Sequence, residues 1–353
     1  YCQEMINRLQ QFSDLLRVIV KSCNYPRPTM GMLAGAIVRL LPFAPKFIVS
    51  WVAKRYVAGE SLEQALSVIS RISVEGSCFT IDVLGEEVRT MEETVFFEEE
   101  YDMVLESISS LALDANISIK PTAFGLLIDR EAALSKIESL VRRADGLGIF
   151  VRLDMEDSRV TDDTLEVLFR MHELGLSNVG VAIQGRLHRT IDDIRQITSK
   201  LGPDSDIRVC KGIYLESESI AHTGYSEIVD ATSEAVTEAI SNGAYVAIAS
   251  HDDPVIENSL RSLNEFGLGP GRGDPREVRP PKREGKGEGY EFQFLLGVKG
   301  DIRRSLNSQG HRTRVYLPYG TRWYEYSMRR LRENPEVAWH VTKALLLPWT
   351  NRR

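Results

Sequence analysis

The sequence predicts an α/β protein, a distorted (β/α)8 barrel of the TIM type preceded by N-terminal helices. Three observations lead there. Short β-branched apolar runs recur at intervals of roughly thirty residues from about residue 76 onward, the buried kind of strand found in a parallel sheet. Helical apolar spacing fills the intervals between them. Eight such strand-then-helix units come in succession, which closes a barrel more readily than it extends an open sheet.

Taken in order, residues 1–75 carry helical spacing only, at Gln3–Lys21, Met30–Tyr56 and Ser61–Ser73. Ser61 followed by Gln64 has the form of a capping box and starts the last of these. Met30–Ala53 is apolar, but Arg39, Pro42, Pro45 and Lys46 interrupt it. A spanning helix needs about 20 mostly apolar residues in sequence, so two buried or interfacial helices meeting near Pro42 are expected. Residues 76–350 make the barrel. Its strands are expected at Phe79–Leu84, Ile117–Lys120, Ile149–Leu153, Val179–Gln184, Ile207–Lys211, Tyr245–Ser250, Glu291–Leu295 and Thr313–Leu317. Helices are expected near Glu98–Leu113, Arg130–Asp145, Asp162–Leu174, Thr190–Lys200, Tyr225–Asn242, Pro254–Phe266 and Asp301–Ser308. After the last strand, Pro318-Tyr319-Gly320 reads as a turn into an eighth helix that stops before Pro335. Gly267–Gly289 is rich in Gly, Pro, Arg and Lys and reads as a mobile loop. Its acids, Asp274, Glu277, Glu284 and Glu288, dilute the basic charge, so a solvated loop is favoured over a nucleic-acid-binding tail.

Composition narrows the function. A net charge of −7 exerts no global pull toward nucleic acid. Cys2, Cys23, Cys78 and Cys210 form neither a CxxC pair nor a zinc spacing, which favours a reducing compartment over a disulfide framework. With no signal peptide visible, the expected location is cytoplasmic, with peripheral contact at an inner membrane (mitochondrial in a eukaryote).

Chemistry in such barrels gathers at the C-terminal ends of the strands. Here those ends read Lys120-Pro121-Thr122, Asp154-Met155-Glu156-Asp157, Gln184, Lys211-Gly212-Ile213-Tyr214, Ser250-His251-Asp252 and Tyr316. Singly each is ordinary: Lys120 a surface lysine, Asp154 a helix-start acid, His251 a core histidine, Cys210 a small buried hydrophobe. Together they are not, because polar groups are expensive to bury and six strands put them at the same end. In the eighth helix, Tyr326, Arg329, Arg330 and Glu333 share one face. The adjacent arginines offer two planar forks suited to one carboxylate or phosphate, beside tyrosines and a tryptophan that suit a pocket wall. Neither GxGxxG nor GxxxxGK[ST] occurs, so a cofactor would lie across the barrel mouth.

Several of these stretches form an ordered set. Arg152-Leu153-Asp154-Met155-Glu156-Asp157-Ser158, Cys210-Lys211-Gly212-Ile213-Tyr214-Leu215-Glu216, Ala247-Ile248-Ala249-Ser250-His251-Asp252, Tyr290-Glu291-Phe292-Gln293 and the Tyr316–Asn334 stretch resemble the flavin-dependent proline dehydrogenases, over about residues 55–345. The resemblance implies FAD bound non-covalently over the mouth, oxidation of L-proline to Δ1-pyrroline-5-carboxylate, and electrons passed to a membrane quinone. It implies that Arg329, Arg330 and Lys120 hold the proline carboxylate, with Tyr214, Leu295, Tyr316 and Tyr326 around the ring and the bulk of Tyr316 excluding hydroxyproline. Asp154 would join Lys120 to the flavin edge. Gln184, Arg208, Cys210, Lys211, Ile213, Leu215, Ser250 and His251 match cofactor-contacting positions. Glu333 would orient an arginine, and Glu86 would gate with Arg330. Because the proline amine must lose its proton before hydride leaves C5, activity is expected to rise toward alkaline pH. The sequence departs from the family at Gly185-Arg186, where a small residue and an aromatic are usual, and at Ile213, where alanine is common.

Two other classes compete. A Schiff-base aldolase would use Lys120 or Lys211 as nucleophile. A non-catalytic membrane-surface module would be built on the apolar N-terminal helices, but their one-sided spacing favours packing on the barrel flank.

Overall fold

The computed structural model describes residues 53, 55–276, 288–324, 326 and 327. The helices expected at Gln3–Lys21 and over nearly all of Met30–Tyr56 lie outside them, as do Arg329, Arg330 and Glu333. Compactness divides the chain into Ala53–Trp323 and a second unit made of residues 1–52 and 324–353. The first unit is the barrel, and Tyr326 falls in the second.

A helix, α1 (Leu62–Ser73), precedes eight strands: β1 (Cys78–Val83), β2 (Ala115–Ile119), β3 (Val151–Leu153), β4 (Val179–Gln184), β5 (Asp206–Cys210), β6 (Tyr245–Ala249), β7 (Tyr290–Leu295) and β8 (Thr313–Tyr319). They close in sequence order, every neighbouring pair parallel. Between them run α2 (Thr94–Ser110), α3 (Arg130–Gly146), α4 (Thr161–Glu173), α5 (Thr190–Leu201), α6 (Tyr225–Ser241), α7 (Asp253–Glu265) and α8 (Gly300–Ser308). Most bounds fall within two residues of the sequence reading. The exception is α2, which starts four residues before Glu98 and follows a 3-10 turn at Met91–Glu93.

Alternation sets inside from outside. Phe79, Ile81 and Val83, Ile117 and Ile119, and Val179, Val181 and Ile183 point outward under the helices and form the apolar core with them. The other face is buried and polar: Thr80 and Asp82, Ser118, Arg152, Gln184, Arg208, Glu291 and Gln293, and Arg314. A TIM barrel interior is usually filled with branched apolar residues; this one is filled with paired charges.

The end of β8 departs from the expected turn. Pro318 and Tyr319 continue the strand against β1, Asp82 opposite Pro318 and Val83 opposite Tyr319. β7 has ended by then, its last pair with β8 being Leu295 opposite Tyr316. The missing proline N–H therefore interrupts no ladder on that side. The Pro318 carbonyl instead accepts the Ala58 N–H at 2.8 Å, and Gly320 N–H donates to Gly59 O at 3.0 Å. This stitch seats α1, which buries Ala65 and Ile69. Ser61 Oγ accepts the Gln64 N–H, and Gln64 Oε1 accepts the Glu60 N–H at 2.8 Å, so the expected cap forms. Gly59 has φ +140°, and a Cβ there would lie 2.2 Å from Gln64 Oε1; only glycine fits.

The described ends of the predicted loop lie at the barrel's N-terminal end. Arg276 is paired with Asp274 (2.6 Å) and donates to Ile240 O (3.0 Å) and Ala244 O (2.9 Å), just ahead of β6.

Candidate active site

Four predicted site residues from four strands meet at the C-terminal mouth. Asp154, just past β3, is the hub. Its Oδ1 accepts from Ser118 Oγ and Arg208 Nη1, each at 2.5 Å, and its Oδ2 from the Tyr316 hydroxyl at 2.7 Å. Lys120 Nζ stands 3.7 Å from Oδ2. The Arg208 guanidinium also lies over the Tyr316 ring, 5.2 Å from its centre. From Arg208 the chain of bonds runs inward through Gln293 Oε1 (2.6 Å) to Glu291 and Arg314. Each member is therefore fixed from below as well as from the side.

Asp82, which the sequence reading passed over, holds Lys120 more closely than Asp154 does, with Oδ1 2.6 Å from Nζ. Burial opposes the charge on Lys120, but Asp82 and Asp154 outweigh it and raise its pKa, so the group stays an ammonium. Burial likewise works against ionised Asp154, yet Arg208, Lys120 and its hydrogen bonds lower its pKa. Asp82, wholly buried and facing the charge of Asp154, is raised. The period-two pattern Phe79-Thr80-Ile81-Asp82-Val83 carried the signal: an acid on the same face as Thr80, opposite three apolar residues.

Glu156, named from the sequence only as part of the end of strand three, has a role that the sequence reading did not assign. Its carboxylate accepts from Thr122 Oγ1 (2.5 Å) and Thr122 N (3.2 Å), and its carbonyl accepts from Gln184 Nε2 (2.7 Å). Burial pushes its pKa up to about 7. It ties the turn after Lys120 to the end of β4.

The remaining predicted residues ring the mouth. Cys210 Sγ donates to Ile183 O at 3.3 Å. His251 Nε2 accepts the Leu295 N–H at 2.9 Å, so this nitrogen carries no hydrogen and Nδ1 is the donor. Ser250 Oγ accepts the Asp252 N–H at 3.1 Å. Lys211 stands apart from the Asp154 hub, paired with Asp252 at 2.5 Å and lying over the Tyr225 ring. Ile213, Tyr214 and Leu215 belong to the loop after β5, where Leu215 is almost fully exposed. Lys120 does not suit a Schiff base: an ammonium held by two carboxylates is not the free amine such chemistry needs.

Three buried polar atoms at this end have no partner among the described residues: Asp82 Oδ2 and Gln184 Oε1, acceptors, and Arg208 Nη2, a donor. An unsatisfied buried group costs about 1–3 kcal/mol, so Gln184 and Arg208 suit a ligand that offers a donor and an acceptor. The edge of a flavin ring, with its N–H and carbonyl groups, meets that requirement.

The sequence profile described as "Proline dehydrogenase" matches residues 65–343. The chain belongs to the proline dehydrogenase family. It is thus an enzyme, an oxidoreductase acting on proline. Among named members of the family, proline dehydrogenase 1 of Bacillus subtilis (strain 168) is 31% identical over 307 residues, spanning 87% of this chain and 95% of that protein. The proline dehydrogenase of Deinococcus radiodurans is 30% identical over 299 residues, 83% and 90% of the respective chains. The fold is shared with proline utilization A from Bdellovibrio bacteriovorus, a structure of the protein inactivated by N-propargylglycine. The TM-score is 0.71 and the identity 22%, over 81% of this chain and 33% of that one.

Proposed function

We infer that the enzyme binds FAD non-covalently across the C-terminal mouth of the barrel, converts L-proline to Δ1-pyrroline-5-carboxylate and delivers the electrons to a membrane quinone. Bound there, a flavin would supply the redox chemistry, hydride transfer from C5 of proline to its N5. The reading rests chiefly on one observation: Lys120 and Arg208, both buried, and half-buried Asp154 and Tyr316 form a single network beside the open polar atoms of Gln184 and Arg208.

Within that reading the chain's own residues bind and orient. Lys120, kept cationic, takes the proline carboxylate, with Arg329 and Arg330 completing the grip as the family resemblance implies. Fixing the carboxylate at one end sets the ring carbon at the other in a near-attack position. Asp154 holds Tyr316 by its hydroxyl, so the phenol ring is a fixed wall against the substrate ring. Arg208 and Gln184 hold the cofactor with the atoms left open, and Lys211, Ser250 and His251 contact it at the rim. Tyr214 and Leu295 line the substrate pocket, and Tyr326 is a substrate-contacting position by the family resemblance alone.

A quinone acceptor dissolved in lipid requires an encounter at the membrane surface. We propose a peripheral encounter; among the described residues no helix is long and apolar enough to cross a membrane. The test is the product: with L-proline and FAD, mass spectrometry should find a cyclic imine with two hydrogens fewer than proline, and a quinone in vesicles should reoxidise the reduced enzyme. Unchanged proline contradicts the reaction; reoxidation by oxygen alone contradicts the acceptor.

A further inference from the structure

The segment after β4, Gly185–His188, runs along both ends of the loop between β5 and α6. Gly185 N–H donates to Cys210 O (2.7 Å) and Arg186 N–H to Lys211 O (3.2 Å) where that loop begins. His222 N–H donates to Arg186 O (2.9 Å) and His188 N–H to Ile220 O (3.0 Å) where it ends, and Leu187 bridges Ala221. Between them the Arg186 guanidinium spans the neck: Nη1 donates to Tyr214 O at 2.9 Å, and Nε and Nη2 donate to His222 O at 3.3 and 3.1 Å. Arg186 is only 9% exposed, and among the described residues no carboxylate pairs with it. Its charge is satisfied by loop carbonyls, so guanidinium and closed loop need each other. The packing is tight, since a Cβ on Gly212 would lie 2.8 Å from Arg186 Cδ.

We propose that Arg186 is a positioning residue, a clasp that closes the loop of residues 211–222 and thereby holds Lys211 and Tyr214 at the barrel mouth. The proposal rests on the flavin and proline reading for its kinetic consequence only. An arginine is required because three N–H groups in a planar fork reach carbonyls eight residues apart in sequence. Lysine has one nitrogen and satisfies the neck in part.

Two variants, R186M and R186K, test it, with chymotrypsin as the probe on flavin-loaded enzyme at Tyr214 and Leu215. R186M should be cut there at least roughly ten-fold faster than wild type, the factor that follows when hydrogen bonds to a charged donor are lost from a segment that opens locally. Its KM for L-proline should rise while the limiting rate is largely kept, and its melting temperature should stay close to wild type. R186K should fall between the two. Wild-type cleavage and KM in folded R186M would overturn the clasp. So would cleavage spread along the whole chain in both variants with a lowered melting temperature, because Arg186 would then serve general stability. If wild type fails to oxidise proline, the functional reading falls, and the cleavage pattern still decides the clasp.

Discussion

Asp154 carries the most at the level of single residues. Three donors and an ammonium converge on one carboxylate that is 14% exposed. Replacing it with asparagine keeps the shape but leaves Lys120 and Arg208 undercompensated. Removing one partner from such a buried set costs about 2–5 kcal/mol. We expect D154N to lower kcat/KM for L-proline by roughly a hundred-fold and to retain flavin poorly, both measurable on one preparation. Glu156 makes a prediction in pH. Its folded pKa of about 7 lies above its ordinary 4.5, so between these values the folded state keeps a proton that the unfolded chain has released. Stability from this group is present below about pH 4.5 and is lost as pH rises through 7, on the order of 3 kcal/mol. Urea melts between pH 5 and 8 should show that loss in wild type, and E156Q should lack its share of the slope. Lys120 and Asp154 were legible as strand-end residues. The period of β1 marks Asp82 as facing inward with Thr80, but its pairing with Lys120 across the β1–β2 seam was not legible, because no sequence period reports which residues of two strands stand opposite.

At the level of elements, the strand-helix rhythm was enough to give eight strands within a few residues, since each buries an outward apolar face under helices. The miss at Pro318 is instructive. A proline normally argues against a strand interior, yet here the neighbouring strand has already ended and the Ala58 N–H takes the proline's carbonyl. Whether a ladder needs a given N–H depends on the partner's length. The same stitch seats α1, whose Ile69 is 1% exposed in the core. I69A should lower stability by about 2–4 kcal/mol through the cavity it leaves, read as a shift of the urea midpoint, with little change in KM for L-proline because Ile69 belongs to the apolar core and not to the polar mouth. The Arg186 clasp also belongs to this scale. The sequence marked Gly185-Arg186 as a departure from the family, but only the folded loop reveals what the arginine grips.

Taken as a whole, the molecule encloses charge where most barrels of its kind enclose branched apolar side chains. Arg152 pairs with Asp206, both fully buried, and Arg314 with Glu291 at 2.7 Å. These lower pairs carry the upper network of Gln293, Arg208, Asp154 and Tyr316. The partners lie 54 and 23 residues apart in sequence, so composition could announce the charges but not their pairing. Such a lumen gives rigid polar walls around a mouth that offers a cation, a fixed phenol and open hydrogen-bonding atoms. These walls suit the flat redox cofactor and small amino acid proposed to bind there. The most direct measurement is the visible absorbance of the purified, flavin-loaded protein before and after anaerobic addition of L-proline. Prompt bleaching of the flavin band, slowed in D154N, is the expected result. A protein that binds no flavin, or whose bound flavin keeps its colour in the presence of L-proline, would contradict it.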